Sequence, residues 1–279
     1  MLERRLRGDV SGWFAGPERI LFTVPTAGGT AVRELEVGGS GAVTRAECNE
    51  QIHHVFPAPE GGFFCMGPGV TPADIPTRTL IRLGFDGELS PVLPADNAFR
   101  FGFCFDGASM YYLKSTTWCG AGAGRSWGLP NLLCRYTGGE EVTFMAIDAV
   151  MDGYGAQPNQ GIVPFCRTVD QQSVVLFDFE DGTVKEVEAL QPSSPTVAPD
   201  GKTVACLRGR IGPGQRIVEF DIATGEVVAD HALPLSRRVV QVLHDPAGEL
   251  YYIESQAGTG RAELFMLESG GFVWAAELA

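Results

Sequence analysis

The sequence predicts an all-β fold, a six-bladed β-propeller of four-stranded antiparallel blades, and three observations carry that expectation. Residues 193–233 divide into four short extended runs joined by three turns. Turn and strand signals of the same kind recur about every 46 residues along the chain, a spacing typical of propeller blades. No stretch shows a long apolar stripe of 3.6-residue period bounded by helix caps.

Within residues 193–233 each element has a physical reason. Pro195-Thr-Val-Ala198 is extended, and Pro199-Asp200-Gly201-Lys202 turns the chain. There Pro presets φ, Asp bonds its own backbone and Gly accepts a positive φ. Residues 203–207 are apolar and β-branched. Residues 216–222 alternate, with Ile217, Glu219 and Asp221 on one face and Val218, Phe220 and Ile222 on the other. Ala223-Thr224-Gly225 is a further turn, and residues 226–232 form the fourth strand. A single sheet of this size cannot bury both its faces; it needs neighbours like itself, which a radial array supplies.

Aligned on the first turn, the units carry Gly16-Pro17-Glu18-Arg19, Ala58-Pro59-Glu60-Gly61, Phe105-Asp106-Gly107, Pro158-Asn159-Gln160-Gly161, Pro199-Asp200-Gly201 and Asp245-Pro246-Ala247-Gly248. The steps from Gly61 onward are about 46, 54, 40 and 47 residues. A second series of Gly turns, among them Asp86-Gly87, Gly138-Gly139, Asp181-Gly182 and Gly270-Gly271, closes the outer hairpins. The expected blades are 9–49, 50–95, 96–146, 147–191, 192–235 and 236–279, in one domain. The fourth unit matches weakly, which leaves five or seven blades as the alternative, and closure of the ring stays open at this stage.

The totals agree with one large β domain: 279 residues, 36 Gly, 18 Pro and 44% apolar residues. No apolar run reaches the roughly 18 residues of a membrane span, and no apolar segment follows the basic N-terminal residues to make a secretory signal. Seven cysteines without a Cys-x-x-Cys pair, most of them in apolar strands, suit buried thiols in a reducing cytoplasm. A net charge of −13 argues against nucleic acid and anionic membranes as partners. Only three of the 21 basic residues are lysine, which suits a GC-rich bacterial genome.

The pattern of strand, Pro-Asp-Gly, apolar strand, loop, strand ending Asp-x-x-x-Gly and strand resembles TolB-type and related propeller repeats. Pro199-Asp200-Gly201 with Asp221-Ile-Ala-Thr-Gly225 carries the resemblance, as does Phe105-Asp106-Gly107-Ala-Ser-Met-Tyr-Tyr. The resemblance implies an architecture shared by binding proteins, scaffolds and enzymes, and so implies no single function.

By analogy with that fold, the innermost strands line a channel, and their heads share a rim with the loops between second and third strands. Convergent polar groups at a concave mouth make a candidate site. Residues seven or eight before the last residue of each first turn are Ser11-Gly12, His53-His54, Phe99-Arg100, Tyr154 with Asp152 nearby, Ser193-Ser194 and Val240-Gln241. His54 is the expected general acid or base, its ordinary pKa lying near 6.5, with Tyr154 in support and Arg100 holding an anionic or carbonyl oxygen. His53, Asp152, Ser194 and Gln241 are expected to contact substrate, together with Trp118, Arg125 and Trp127 of the long Gly- and Trp-containing loop at 115–131. Residues 67–78 read as a second long loop on that side, His231 as exposed and His244 as structural.

No phosphate-binding context surrounds the glycines at 120–124, no zinc-ligand spacing occurs, and Cys119 has no visible base partner. The expectation is therefore a metal- and cofactor-independent enzyme of lyase, isomerase or cyclase type, acting on a small, partly aromatic or cyclic molecule at the channel mouth. The alternative is a non-catalytic propeller that binds a protein or small ligand on its rim.

Overall fold

A computed structural model describes residues 10–39, 41–70, 76–93, 99–105, 109–115, 118–119, 126–127, 131–147, 151–152, 156–167, 172–209, 214–233, 238–256, 261–268 and 271–278. The expected fold is the observed one: six four-stranded antiparallel sheets, with no helix among the described residues. The blades run Gly12 to Cys48, His53 to Pro91, Phe99 to Ile147, Met151 to Glu188, Pro192 to Ala232 and Val239 to Glu277. Each is built from one continuous stretch of the chain, so the ring closes without a strand lent from one end to the other among the described residues.

The template blade folds as its turn chemistry dictates. Gly201 takes φ +70° while the Asp200 carboxylate accepts the Lys202 N–H at 3.0 Å. Gly225 takes φ +75° beside Asp221, whose carboxylate accepts the Thr224 N–H at 2.7 Å.

The core is not central. It is divided into six apolar seams, one at each junction between neighbouring blades. Strand alternation sends successive residues to opposite seams. Val204 and Cys206 pack on blade 4, whereas Ala205 and Leu207 pack on blade 6. The six cysteines outside the 116–130 loop are all buried, and each belongs to a seam.

The seam between blades 6 and 1 joins the two ends of the repeat. Val10, Phe14, Ile20 and Phe22 meet Leu243, Tyr251, Ile253, Leu264 and Leu278 there. Above it, the Gln241 side chain pairs with Gly12 as a strand residue would. The Gly12 N–H donates to Gln241 Oε1 at 2.9 Å, and Gln241 Nε2 donates to the Gly12 carbonyl at 3.0 Å. The junction is tight: a Cβ at position 12 would lie 2.8 Å from the Ile253 Cδ1 and 3.0 Å from the Ile20 Cδ1, so a larger residue there would displace the ends of both side chains.

The far end of the channel is filled by a second glutamine. Gln157 lies in the innermost segment of blade 4, at a point where the chain leaves its own sheet and bridges in parallel to Thr196 of blade 5. Its amide spans to blade 6: His244 N–H donates to Oε1 at 2.9 Å and Nε2 donates to the His244 carbonyl at 2.8 Å. The Thr196 hydroxyl donates to the same Oε1 at 2.8 Å, so the His244 Nδ1, 3.1 Å away, donates to Thr196. Burial in this network lowers the His244 pKa to about 4, and the imidazole is neutral in the folded state.

Two outcomes follow from these closures. Gln241→Ala lowers unfolding stability by about 1–3 kcal/mol, through the exposed ends of two buried hydrogen bonds, and shifts the urea midpoint without changing the slope. For His244 the unfolded chain binds the proton more tightly than the folded one. Stability is therefore present above pH 6.5 and lost as the pH falls toward 4, by about 2–3 kcal/mol in all. Urea titrations from pH 7 to pH 4 show this slope in the wild type and a flatter one in His244→Gln.

Candidate functional site at the channel mouth

At the other end of the channel, the innermost strands begin with bulges. In blade 2, His53 pairs with Met66 and Val55 with Cys65, which leaves His54 as the extra residue at φ +48°. In blade 5, Ser194 occupies the corresponding bulge at φ +50°. Blades 2 and 5 stand opposite one another in a ring of six, so two left-handed non-glycine residues face across the mouth.

Side chains in these heads tie each innermost strand to the next. Ser11 Oγ accepts the His54 N–H at 2.9 Å and meets Thr23 Oγ1 at 3.2 Å. Ser194 Oγ accepts the Val242 N–H at 3.0 Å. With the Gln241–Gly12 pair, junctions 5–6, 6–1 and 1–2 are all latched through the backbone. The hydroxyl of Ser194 and the amide of Gln241, expected to contact substrate, are thus engaged in joining strands.

His53 and His54 are both buried, 6% and 9% exposed. Arg100 does not stand open at the mouth. Its side chain is 7% exposed, and its Nε donates to Glu141 Oε2 at 3.0 Å. The Tyr112 hydroxyl donates to the same oxygen at 2.5 Å, and Lys114 Nζ donates to Oε1. Burial works to raise the Glu141 pKa, but the bonds from Lys114, Tyr112 and Arg100 outweigh it and hold the carboxyl below its ordinary range. Burial, and then the bond to Glu141, push the Tyr112 hydroxyl far above its usual range. This cluster lies on the face of blade 3 that packs against blade 2, with Tyr112 and Cys134 in the shared seam.

Sequence reasoning missed Glu141, Tyr112 and Lys114. The available signal was strand alternation, since Tyr112 pairs with Cys134 and Cys134 with Thr143, one turn of the pleat from Glu141.

The two long connections of blades 2 and 3 each contain paired strands among their described residues. The described ends of the expected loop at 67–78 are strand: Gly67 pairs with Thr79, Pro68 with Arg78, Gly69 with Thr77 and Val70 with Pro76. The innermost strand of blade 2 pairs no further than Met66, so from Pro68 onward the missing N–H disturbs no second ladder. In blade 3, Trp118 pairs with Trp127 and Cys119 with Ser126 in a short antiparallel ribbon. Blade 1 has a tight turn instead, with the Thr26 N–H donating to the Gly29 carbonyl at 3.0 Å. Both pairings lie between the second and third strands of their blades, at the end where the innermost strands begin.

Asp152 pairs with Cys166 at the head of blade 4. Tyr154 and Arg125 lie outside the described residues. His231, expected to be exposed, instead contacts Glu219 through Nε2 at 2.7 Å and stands edge-on to Phe272. Among the described residues no three His, Cys, Asp or Glu side chains are grouped to hold a metal ion.

No family model and no curated protein matches the sequence. Solved structures match throughout its length. TolB from Acinetobacter baumannii superposes with a TM-score of 0.61 at 15% identity, over 99% of this chain and 67% of that one. An oligogalacturonate lyase in complex with manganese gives 0.58 at 14% identity, over 97% and 79%. A Mycobacterium tuberculosis puromycin-hydrolyzing peptidase gives 0.55 at 11% identity, over 97% of this chain and 45% of the peptidase. The architecture of the chain is that of TolB and related propeller proteins.

Proposed function

We propose that the chain processes a small molecule at the channel mouth beside blades 2 and 3, by metal-independent acid–base chemistry of lyase, isomerase or cyclase type, with His54 as the acid–base group. One observation carries the reading. The bond that joins blades 1 and 2 uses the backbone N–H of residue 54, which any non-proline residue supplies and which glycine would supply without strain at φ +48°. A left-handed backbone and a buried imidazole thus coincide at the head of the innermost strand of blade 2, and strained polar residues at a mouth are characteristic of functional sites.

In this reading His53, Asp152, Tyr154, Arg125 and the two tryptophans, Trp118 and Trp127, surround the ligand. Arg100 acts by fixing the Glu141 carboxylate on the neighbouring face. A partly aromatic or cyclic ligand suits the tryptophan ribbon. Solved propellers of this architecture include a lyase and peptidases as well as TolB, so the scaffold is compatible with chemistry. A second reading, ligand binding without chemistry, is favoured by the commitment of Ser11, Ser194 and Gln241 to the protein's own strands.

The test uses a panel of sugar acids, hydroxy acids and aromatic carboxylic acids. Compounds that raise the melting temperature are incubated with the protein, and conversion is followed by proton NMR. The expected outcome is conversion that is reduced about 100-fold in His54→Gln with ligand-induced stabilisation retained. Binding without conversion supports the second reading, and full-rate conversion by His54→Gln removes His54 from the chemistry.

A further inference from the structure

Each blade ends in an outermost strand whose far edge has no partner in its own sheet. Such an edge is a template for pairing with another chain, and native proteins blunt it with charge, proline or brevity. Five of the six outermost strands use these devices. Val43–Cys48 carries Arg45 and Glu47, and Glu140–Ile147 carries Glu140 and Glu141. Val184–Glu188 carries Lys185, Glu186 and Glu188, and Val227–Ala232 carries Asp230. Leu89–Pro91 is three residues long and ends in proline. The outermost strand of blade 6, Gly271–Glu277, has none of these before its final residue. Residues 271–276 read Gly-Phe-Val-Trp-Ala-Ala, and Val273 and Trp274 are 38% and 58% exposed. Its one irregularity, between Leu264 and Phe265, has counterparts in the outer pairs of blades 1, 3 and 5, which are charged as well.

The register shows what this edge offers. The Leu278 N–H donates to the Ala262 carbonyl at 2.8 Å, so the even-numbered residues of the neighbouring strand Arg261–Glu268 exchange hydrogen bonds with the outermost one. Met266 faces Val273 and Glu268 faces Gly271 in that pattern. Phe272 and Trp274 lie between these positions, and their N–H and C=O groups point away from the sheet. The two aromatic side chains share the face of Phe265 and Leu267, and Val273 lies on the other face with Met266.

We propose that this edge pairs with the same edge of a second copy of the chain, antiparallel about a two-fold axis at Val273. The register is self-complementary. Phe272 stands opposite Trp274 of the second copy and Trp274 opposite Phe272 of the second copy. The outward backbone groups of each edge then find partners, and aromatic cross-strand pairs form on one face. Val273 meets its own counterpart, and no residue from 271 to 275 is charged. Charge selects the same partner surface: each molecule carries −13, so two copies approach with least repulsion where the edge is uncharged. The contact joins two four-stranded sheets into one. It is smaller than a standard interface, and the expected dissociation constant is about 10–100 µM. The edge lies on the circumference of the ring and uses none of the residues assigned to the mouth.

Sedimentation velocity of the full chain between about 1 µM and 1 mM tests this. The wild type passes from monomer to dimer over that range. Its affinity rises with salt, because screening weakens the repulsion between two acidic molecules while the contact itself holds no ion pair. Val273→Lys sets like charges opposite each other and lowers the affinity about 10-fold, as does Val273→Glu. An equimolar mixture of these two variants recovers the dimer, which only this register requires. Trp274→Gln removes the aromatic pairs and also lowers the affinity about 10-fold. Unchanged melting temperatures of the dilute variants separate loss of pairing from loss of folding. A wild type that stays monomeric throughout overturns the proposal and leaves the edge to another segment of the chain or to a different protein. A dimer that Val273→Lys and Trp274→Gln leave intact, or that weakens with salt, overturns it as well. So does a mixture of folded Val273→Lys and Val273→Glu proteins that recovers no dimer.

Discussion

Every blade is apolar on both faces, and that constraint forces the ring. Alternation sends Val204 and Cys206 one way and Ala205 and Leu207 the other, so blade 5 on its own would expose one apolar set whichever way it turned. The same holds for the other blades, and the six seams form one circular dependency with no end blade to cap it. Closure rests on the seam between blades 6 and 1, where twelve buried residues meet without a shared strand.

Backbone polarity sets the second constraint. Innermost strands converge on the channel, where their outward N–H and C=O groups have no ladder partner from their own sheet. An unmade bond there costs more than a made one returns. Ser11, Ser194, Gln157 and Gln241 fill this role, reaching across to the backbone of another blade. A glutamine amide suits it best, since it presents a donor and an acceptor at the spacing of a peptide group. The channel lining is polar chiefly because it holds the ring together, and polarity there is weak evidence of ligand binding by itself.

These two constraints explain what was legible in the sequence. Turns are local: Asp200 and Asp221 bond N–H groups within three residues of themselves, so Pro199-Asp200-Gly201 and Asp221 to Gly225 could be recognised from spacing alone. The blade count followed from the turns. The latches are not local. Gln241 and Gly12 are 229 residues apart, Gln157 and His244 are 87 apart, and Arg100 and Glu141 are 41 apart. Aligning on the turn glycine brought Ser194 and Gln241 to the mouth correctly, but which neighbour each would meet depends on the ring. Residues 67–78 misled for a related reason: their Gly and Pro break a ladder shared on both edges, but this ribbon is paired on one edge only.

Ser194 and His54 share a bulge and a left-handed backbone, and the comparison between them separates structure from function. Such a conformation costs of order 1–3 kcal/mol for a non-glycine residue. At Ser194 the side chain offsets the cost, since its hydroxyl latches blade 6 and a glycine would lose that bond. At His54 the latch is the backbone N–H, and the imidazole contributes nothing to it. The two longer paired connections belong to blades 2 and 3, whereas Ser194 belongs to blade 5. Where the repeat departs from its template to improve the ring, the departure is explained by a hydrogen bond on the adjoining strand. The bulge at 54 differs from the bulge at 194 in that its latch is made by the backbone and leaves the choice of side chain open, which is why residue 54 is the position where substitution separates the two roles.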